Sequence, residues 1–330
     1  MGLTLGLTGD VMLGRKVEEA QRRRPPDAVW DGVVGHLRTL DGLLINLECT
    51  LSTRGRPWRR TYRPFRFRAT PAWAIPALLD AGVDYASLAN NHLLDFEEPA
   101  LLDTADALTE ADIAHAGAGR TVDTAREPAQ FSVGGLDVAV VSLTDNTPEY
   151  AAGPSKAGVA YVSMDLDAQD QERVRAILAR ARHLDPDLLV ASLHWGPNMV
   201  AEPARTYREF GHFLVAEGVD LIHGHSAHVF QGIEIYKGVP ILYDCGDFVD
   251  DYRIDRDLRN DRSFLFEATV EGGRVTHLRL RPVEIADCAV HWADADAARW
   301  CREHIRTRSE PFGTADAFER VGRGLELAVA

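Results

Sequence analysis

The 330-residue chain has few cysteines, a deficit of basic residues and no long apolar run. None of its four cysteines forms a C-x-x-C pair, so the sequence indicates neither a disulfide framework nor a thiolate zinc site. Thirty-six lysines and arginines stand against fifty acidic residues, which gives a net charge of -14. A field of that sign repels phosphate backbones and anionic lipid, which argues against nucleic acid and membrane as main partners.

The first residues, 1–8, lack the charged start and the small-residue cleavage pattern of a signal peptide. No later stretch is long and apolar enough to predict a transmembrane helix. Hydrophobic residues at 45% and charged residues at 26% are typical of a folded globular chain. We therefore expect a soluble, cytoplasmic protein, whose oligomeric state the sequence leaves unknown.

Apolar runs rich in valine, isoleucine and leucine alternate with segments of helical period, a pattern typical of sheets with crossover helices. The predicted strands are 3–8, 43–46, 85–89, 138–143, 188–193 and 219–222, and the predicted helices are 72–81, 99–111, 169–182 and 205–217. Two antiparallel hairpins are predicted at 233–243 and 264–280, around Lys237-Gly238 and Gly272-Gly273. The predicted fold class is therefore mixed α/β (α+β).

The last part of the chain has a helical pattern in place of the strand pattern. Strand signals stop after Pro282, and two helical stretches follow at 294–306 and 315–327, separated by Pro311 and Gly313. We predict one domain over residues 1–285 and a helical extension, 286–330, that packs on it.

Polar side chains able to bind metal follow five of the predicted strands where each strand ends. They are Asp10, Glu48, Asn91 with His92, His194, and the group His223, His225 and His228. In a sheet of this class, ligands bind at the strand ends. Carboxylates with neutral imidazoles favour zinc, manganese or iron over magnesium or calcium. Two carboxylates allow a pair of ions, and such a pair is typical of hydrolysis by an activated water.

Each of these motifs also has an ordinary structural interpretation. A lone His194 on an apolar strand would be a hydrogen-bonded core histidine, and Gly9-Asp10 would be a turn or a helix cap. The three clustered histidines are harder to explain in this way, because they would repel one another if protonated and gain most from a shared ligand. The occurrence of such residues at five strand ends favours the metal interpretation.

Seven motifs in order resemble the CapA family of poly-gamma-glutamate capsule proteins, from about residue 3 to residue 282. They are GDVMLGR (9–15), NLE (46–48), ANNH (89–92), GAGR with Pro128 (117–120), SLHWG (192–196), GHSAHVFQ (224–231) and GDF (246–248). That family is similar to the calcineurin-like metallophosphoesterases. The resemblance therefore implies a four-layer sandwich of two mixed β-sheets flanked by helices, with two metals at the strand ends.

The resemblance also implies a ligand set. Its members are Asp10, Glu48, Asn91, His194, His225 and His228. Asp10 and His228 would bind the first metal, Glu48 would bridge in place of the usual aspartate, and the other three would hold the second metal. His92 matches a histidine that can protonate a leaving oxygen, so His92 and Asp10 are the residues assigned to catalysis.

The chain departs from the calcineurin-like pattern in the first and last motifs. Met12 stands where a histidine would follow Asp10, and the first metal would then be completed by Asp247 or water. The last motif places two residues between His225 and His228 instead of one, and His223 could substitute for either.

An arginine-dense segment, RGRPWRRTYRPFRFR at 54–68, follows Glu48 in an otherwise acidic chain. Arginine forks bind phosphate and carboxylate, so the segment is predicted to bind an anionic substrate. The alternative is a solvated loop that pairs with nearby acids. Basic and aromatic alternation also suits single-stranded nucleic acid, but the net charge argues against it. The residues assigned to the substrate are Arg15, Arg59, Arg60, Arg63 and Trp195.

These observations predict a dinuclear metal-dependent hydrolase that acts on a phosphate ester or another small anionic substrate through metal-activated water. Its expected cofactors are two divalent ions of manganese, zinc or iron. One alternative is an accessory or binding protein for poly-gamma-glutamate-like polymers with a structural or degraded metal site, and another is a metal-dependent amide or thioester hydrolase. The retained His92 favours a hydrolase, and Met12 favours the binding protein.

Overall fold

Two β-sheets lie face to face and carry helices on their outer sides. The computed structural model describes residues 2–329. Its strands are β1 (Leu3–Val11), β2 (Gly42–Leu47), β3 (Thr50–Leu51), β4 (Arg68–Ala69), β5 (Tyr85–Ser87), β6 (Ala114–Ala116), β7 (Ala118–Gly119), β8 (Ala129–Val133), β9 (Leu136–Thr144), β10 (Gly158–Val159), β11 (Leu188–His194), β12 (Leu221–His225), β13 (Ile233–Tyr236), β14 (Val239–Leu242), β15 (Asp247–Val249), β16 (Arg262–Glu271), β17 (Arg274–Ala286), β18 (Ala289–Trp292), β19 (Glu319–Val321) and β20 (Gly324–Ala328). Its helices are α1 (Arg15–Gln21), α2 (Val34–Leu37), α3 (Pro71–Ala81), α4 (Glu97–Glu110), α5 (Val122–Ala125), α6 (Ala168–Arg182), α7 (Arg205–Ala216) and α8 (Ala295–Ser309).

Both large sheets are mixed. The larger has the order β19-β20-β17-β16-β1-β2-β5-β6, with β15 also paired to β1 and β18 to β17. The smaller has the order β13-β14-β12-β11-β9-β8. In the smaller sheet the central strands run parallel and an antiparallel strand lies at each side, whereas the larger sheet has a parallel half, β1-β2-β5-β6, and an antiparallel half, β16-β17-β20-β19. The carboxyl ends of β1 and β2 therefore lie at one edge of the larger sheet, and those of β11 and β12 lie at one edge of the smaller sheet.

The strand sequences explain the layers. Along β2, Leu44 points into the core between the sheets, whereas Leu43 and Ile45 pack under the helices of the larger sheet. Side chains of β11 alternate in the same way, with Val190 between the sheets and Leu193 under α6 and α7. A strand buried on both faces is apolar at most positions, which is what these runs show before their polar carboxyl ends. The mixed α/β sandwich predicted from the sequence is confirmed.

The predicted central strands and helices are confirmed, with ends that differ by a few residues. The strand predicted at 219–222 is β12, which begins later and extends to His225. Both predicted hairpins form, as β13 with β14 and β16 with β17. The longest helices, α6 and α8, have 15 residues each, and within residues 2–329 no helix is long and apolar enough to cross a membrane.

The predicted end of the strands at Pro282 is wrong, because β17 continues to Ala286 and β18 follows it. Helix 294–306 is confirmed by α8, but the helix predicted at 315–327 is wrong. That segment forms the hairpin β19–β20, and β20 pairs with β17. Leu325 and Leu327 are buried with a period of two, and Gly322 turns the chain with a φ of +60°. The division of the chain at residue 285 stays a prediction.

Candidate metal centre

Parallel pairing brings the predicted ligands together at one edge. Asp10 lies in register with Asn46 of β2 on one side and with Asp247 of β15 on the other. In the smaller sheet, His194 of β11 lies in register with His225 of β12. The two edges face each other because the sheets pack face to face, so residues distant in sequence share one buried site.

Two glycines allow this close approach of the chain segments. A Cβ at Gly9 would lie 1.7 Å from the carbonyl oxygen of Gly246, and a Cβ at Gly224 would lie 2.1 Å from that of Tyr243. No side chain fits at those distances. The glycines preceding Asp10 and His225 are therefore required by the backbone packing behind the site.

One group of possible ligands comprises Asp10, His194 and His225, which are fully buried. The Nδ1 atoms of the two histidines are 3.1 Å apart, and each lies 3.9 Å from Asp10 Oδ1. Two imidazole nitrogens that face each other cannot both carry a proton, so at least one offers a lone pair. This arrangement can hold a cation between the three side chains.

A second group comprises Asp10, His228 and Asp247. Nδ1 of His228 lies 2.9 Å from Asp247 Oδ1 and 3.2 Å from Asp10 Oδ2. His228 has a φ of +60°, in the left-handed region that non-glycine residues seldom adopt, and this backbone turns its ring toward the carboxylates. Of the two completions considered for the first metal, the structure brings Asp247 to the centre.

Glu48 and Asn91 complete the edge of the site. Glu48 Oε1 lies 4.0 Å from His194 Nε2, and Glu48 Oε2 accepts a hydrogen bond from the Tyr252 hydroxyl at 2.9 Å. Asn91 Oδ1 lies 3.1 Å from His194 Nε2. All six predicted ligands therefore converge. Asp10 is the residue that both three-residue groups share, and the bridging role of Glu48 stays a prediction.

His92 lies beside this centre, and its Nδ1 contacts the carboxylate of Asp95. Its Nδ1 lies 2.5 Å from Asp95 Oδ2, and its Nε2 lies 3.7 Å from Glu48 Oε1. The ring stacks on Phe67 with centroids 3.8 Å apart. Burial lowers the pKa of His92, although Asp95 opposes this effect. The imidazole therefore has a fixed orientation with Nε2 toward the centre.

The buried oxygens test whether these residues fit a cation. Asp10 Oδ2, Glu48 Oε1 and Asp247 Oδ2 are buried and accept no hydrogen bond. An unpaired buried carboxylate oxygen is costly, and native proteins almost always satisfy such atoms. A divalent cation would satisfy them, and mixed carboxylate and imidazole donors suit zinc, manganese or iron. The residues present therefore fit a metal site.

The pKa shifts of Glu48, Asp247 and His194 agree with this fit. Burial raises the pKa of Glu48 well above its usual value, with the charge of Asp10 adding to the effect, and burial likewise raises the pKa of Asp247. Burial lowers the pKa of His194 to about 3, so its ring is neutral near pH 7 and can act as a ligand. Burial alone would lower the pKa of His228, but Asp247 and Glu48 raise it well above its usual value.

His223 and His225 have different positions relative to the ligand groups. Nε2 of His223 lies 2.6 Å from the carbonyl oxygen of Thr8, so His223 links the two sheets and points away from the ligand groups. Of the histidines that the sequence left as alternatives, His225 is the one placed to bind metal.

Met12 is buried, and its sulfur accepts the backbone N–H of Gly14 at 3.1 Å.

A cavity of about 450 Å³ opens onto the site. Its wall includes His92, His228 and Tyr252 from the centre, together with the basic residues Arg15 and Arg253. Arg15 forms an ion pair with Asp251 at 3.1 Å. The predicted position of Arg15 next to the substrate is thus compatible with the structure, and its substrate role stays a prediction.

The other residues assigned to the substrate lie elsewhere. Arg63 donates to the backbone carbonyl of Asn91 and to Thr147 Oγ1. It therefore stabilises the turn that carries Asn91 and His92. Arg60 stacks over Trp58 and faces Glu98, and Arg59 is exposed; neither lines the cavity.

The assignment of Trp195 to the substrate is wrong. Its side chain is 3% exposed, packs against Tyr243 and Phe210, and donates its indole N–H to the carbonyl of Tyr243 at 2.7 Å. An aromatic residue that follows a ligand in sequence points to the opposite side of the strand end, here into the core under α7.

Sequence reasoning did not assign several residues that contact the centre, among them Asn46, which donates to Asp10 Oδ1 at 2.6 Å, Asp95 and Tyr252. Asp95 lies three residues after His92 in the turn that follows β5, and that spacing was a usable signal. Tyr252 reaches Glu48 across 204 residues of sequence, and no local pattern marks it.

Comparison with known proteins places the chain in a family. The model of the bacterial capsule synthesis protein PGA_cap matches residues 4–252, which include every residue of the candidate centre. A "Probable polyglutamine synthesis accessory protein" of Mycobacterium tuberculosis is 34% identical, covering 94% of this chain and 92% of that protein. The "Capsule biosynthesis protein CapA" of Bacillus anthracis is 29% identical, covering 76% of this chain and 60% of that protein. A solved structure of a hypothetical protein from Thermus thermophilus superposes with a TM-score of 0.49 at 17% identity, over 86% of this chain and 99% of that chain. The chain therefore belongs to the PGA_cap family of bacterial capsule synthesis proteins.

Proposed function

We propose that the protein is a metal-dependent hydrolase of the calcineurin-like type, acting on a phosphate ester or another small anionic substrate. One observation carries this proposal. Three buried carboxylate oxygens without hydrogen-bond partners lie together, two of them opposite imidazole nitrogens, beside an oriented histidine, His92, in the wall of an open cavity. A purely structural cluster would not need that histidine in the wall of the cavity.

Two divalent ions would be held by the two groups that share Asp10. His194 and His225, with Asn91 and Glu48 nearby, would bind one ion, and His228 with Asp247 would bind the other. When bound, such ions activate water and neutralise charge that develops on a phosphoryl or acyl oxygen. Asp247 would supply the ligand that a histidine at the position of Met12 would otherwise provide.

The chain itself supplies proton transfer and substrate orientation. Asp95 holds His92 at Nδ1 and favours the imidazolium form of its ring, whose Nε2–H would protonate the leaving oxygen. Arg15, Lys16 and Arg253 line the cavity and give it positive charge in a protein of net charge -14. These groups favour an anionic substrate and would orient it toward the centre.

A second candidate is a binding role in the synthesis of a poly-gamma-glutamate-like polymer, with a structural metal site. The names of the relatives support it, since one is an accessory protein for polyglutamine synthesis and one is a capsule biosynthesis protein. The cationic cavity suits a carboxylate polymer as well as a small anion. An amide hydrolase acting on such a polymer would combine both candidates.

The deciding experiment combines elemental analysis with a hydrolysis screen. Protein purified without chelator is assayed with added manganese on phosphate monoesters, phosphodiesters and gamma-glutamyl amides, beside His92→Asn, His194→Ala and the exposed control His183→Ala. We expect His92→Asn to keep its metal and lose turnover, and His194→Ala to lose metal. A wild-type protein that binds no divalent cation refutes the hydrolase. A metal-loaded protein that binds polyglutamate and hydrolyses nothing supports the binding role.

A further inference from the structure

A second cavity, of about 370 Å³, adjoins the one at the metal centre. Arg15 lies in the wall of both cavities. Its guanidinium is centred 5.5 Å from the ring of Phe65 and 5.2 Å from the ring of Phe67, and it pairs with Asp251. The two cavities are therefore neighbours along one surface of the protein, with Arg15 between them.

The second cavity has an excess of positive charge. Arg15, Arg22, Arg66 and Arg68 line it, against only two acids, Glu18 and Glu19. Glu18 Oε1 already accepts hydrogen bonds from Oγ1 and the backbone N–H of Thr70, at 2.5 and 3.2 Å. The cavity is thus cationic in a protein whose overall charge is strongly negative.

In the described part of the chain, Arg22, Arg66 and Arg68 lack an acidic partner, unlike some arginines of the segment at 54–68. Arg54 pairs with Asp103 and Arg60 faces Glu98. In contrast, no carboxylate of residues 2–329 lies within 4 Å of the guanidinium nitrogens of Arg22, Arg66 or Arg68. Unpaired guanidinium groups gathered in one concave site are available to an anion from outside.

Two of the guanidinium groups are also held in place. Arg68 stacks on the ring of Phe96, with the guanidinium carbon 4.0 Å from the ring centroid, and Arg66 donates from Nε to the carbonyl of Trp58 at 3.0 Å. Each retains further N–H donors. Groups positioned in this way lose little conformational freedom when they bind.

We propose that this second cavity is an anion-binding subsite, so that the preferred ligand carries one negative group to the metal centre and at least one more to Arg22, Arg66 and Arg68. The inference rests on the proposed function in taking the metal centre as the place of the first group. Carboxylate and phosphate are both suitable for the second group, because an arginine fork binds either in the same geometry.

The test compares Arg22→Glu with Arg23→Glu in the full-length, metal-loaded protein. Both arginines are exposed and adjacent, and the two variants change the net charge equally, but only Arg22 lines the cavity. The probes are capped tetrapeptides with one or four glutamates, or with one or four phosphoserines, the remaining positions being alanine. Binding is measured by titration calorimetry, which does not depend on turnover.

We expect Arg22→Glu to weaken binding of a four-acid peptide by about tenfold more than Arg23→Glu does, as loss of one charge-assisted contact predicts. One-acid peptides should bind both variants alike. The series that shows the difference identifies carboxylate or phosphate. Equal weakening by the two variants, or a wild-type protein that does not prefer four acids to one, overturns the subsite. A selective loss in Arg22→Glu without hydrolysis of any substrate would retain the subsite and refute the hydrolase.

Discussion

Asp95 Oδ2 lies 2.5 Å from His92 Nδ1 and accepts the backbone N–H of Phe67 at 2.7 Å. The same carboxylate therefore orients the proposed acid and anchors the arginine segment. The carbonyl of Asp95 also accepts the backbone N–H of Trp58 at 2.8 Å, and its Oδ1 accepts from the Tyr150 hydroxyl at 3.1 Å. One residue thus links the segment at 54–68 to the chemistry of the centre.

Asp95→Asn should lower kcat by about a hundredfold with little change in KM or metal content, because the amide cannot stabilise the His92 imidazolium as a carboxylate does. Steady-state kinetics with metal analysis measure this. Asp103→Asn, which affects the pairing of Arg54 on the surface, is the matched control and should retain activity. If Asp95→Asn lost bound metal in proportion to its loss of kcat, Asp95 would act by holding the metal ligands in place and not by orienting His92.

Asp247→Asn should reduce the bound metal from two ions to about one per chain, since it removes the carboxylate that faces His228 at 2.9 Å. Elemental analysis of protein purified without chelator gives the number directly. The exposed Asp257→Asn should bind the wild-type amount. Unchanged stoichiometry in Asp247→Asn would mean that water completes the site.

Tyr252→Phe should weaken metal binding by about tenfold, because the hydroxyl that holds Glu48 Oε2 at 2.9 Å is lost. Competition with a chelator of known affinity measures the change. Tyr62→Phe, at a side chain that is 89% exposed, serves as the control. Equal affinities for the two variants would show that Glu48 needs no support from Tyr252.

Trp195→Ala should destabilise the protein by about 3–5 kcal/mol, because a large buried ring is replaced by a cavity. Denaturant unfolding measures the loss, and Trp195→Phe should recover part of it. If Trp195→Ala instead kept its stability and raised KM, Trp195 would contact the substrate.

Leu325→Ala should cost about 2–5 kcal/mol of unfolding free energy, because Leu325 is buried where β20 pairs with β17. Leu79→Ala, at a helix position that is 50% exposed, should cost much less. Similar values for the two would indicate that the terminal hairpin does not contribute to the core.

The errors of sequence reasoning have specific physical causes. The segment 315–327 was predicted as a helix because its short apolar pattern fits either period, and pairing with β17 decided the outcome. Trp195 follows His194, which lies at the centre, yet adjacent residues at a strand end point to opposite faces, and the ring of Trp195 packs in the core. Both outcomes depend on contacts with other parts of the fold, which local sequence does not specify.

The sequence by itself determined the central strands and helices and which polar side chains follow the strands, because apolar period and polar strand ends are local properties of the chain. Only the tertiary structure decided that His225 and not His223 faces the ligands, that Asp247 joins Asp10, and that Tyr252 supports Glu48. Those outcomes depend on the register of parallel strands and on the packing of two sheets, which set distances between atoms far apart in sequence.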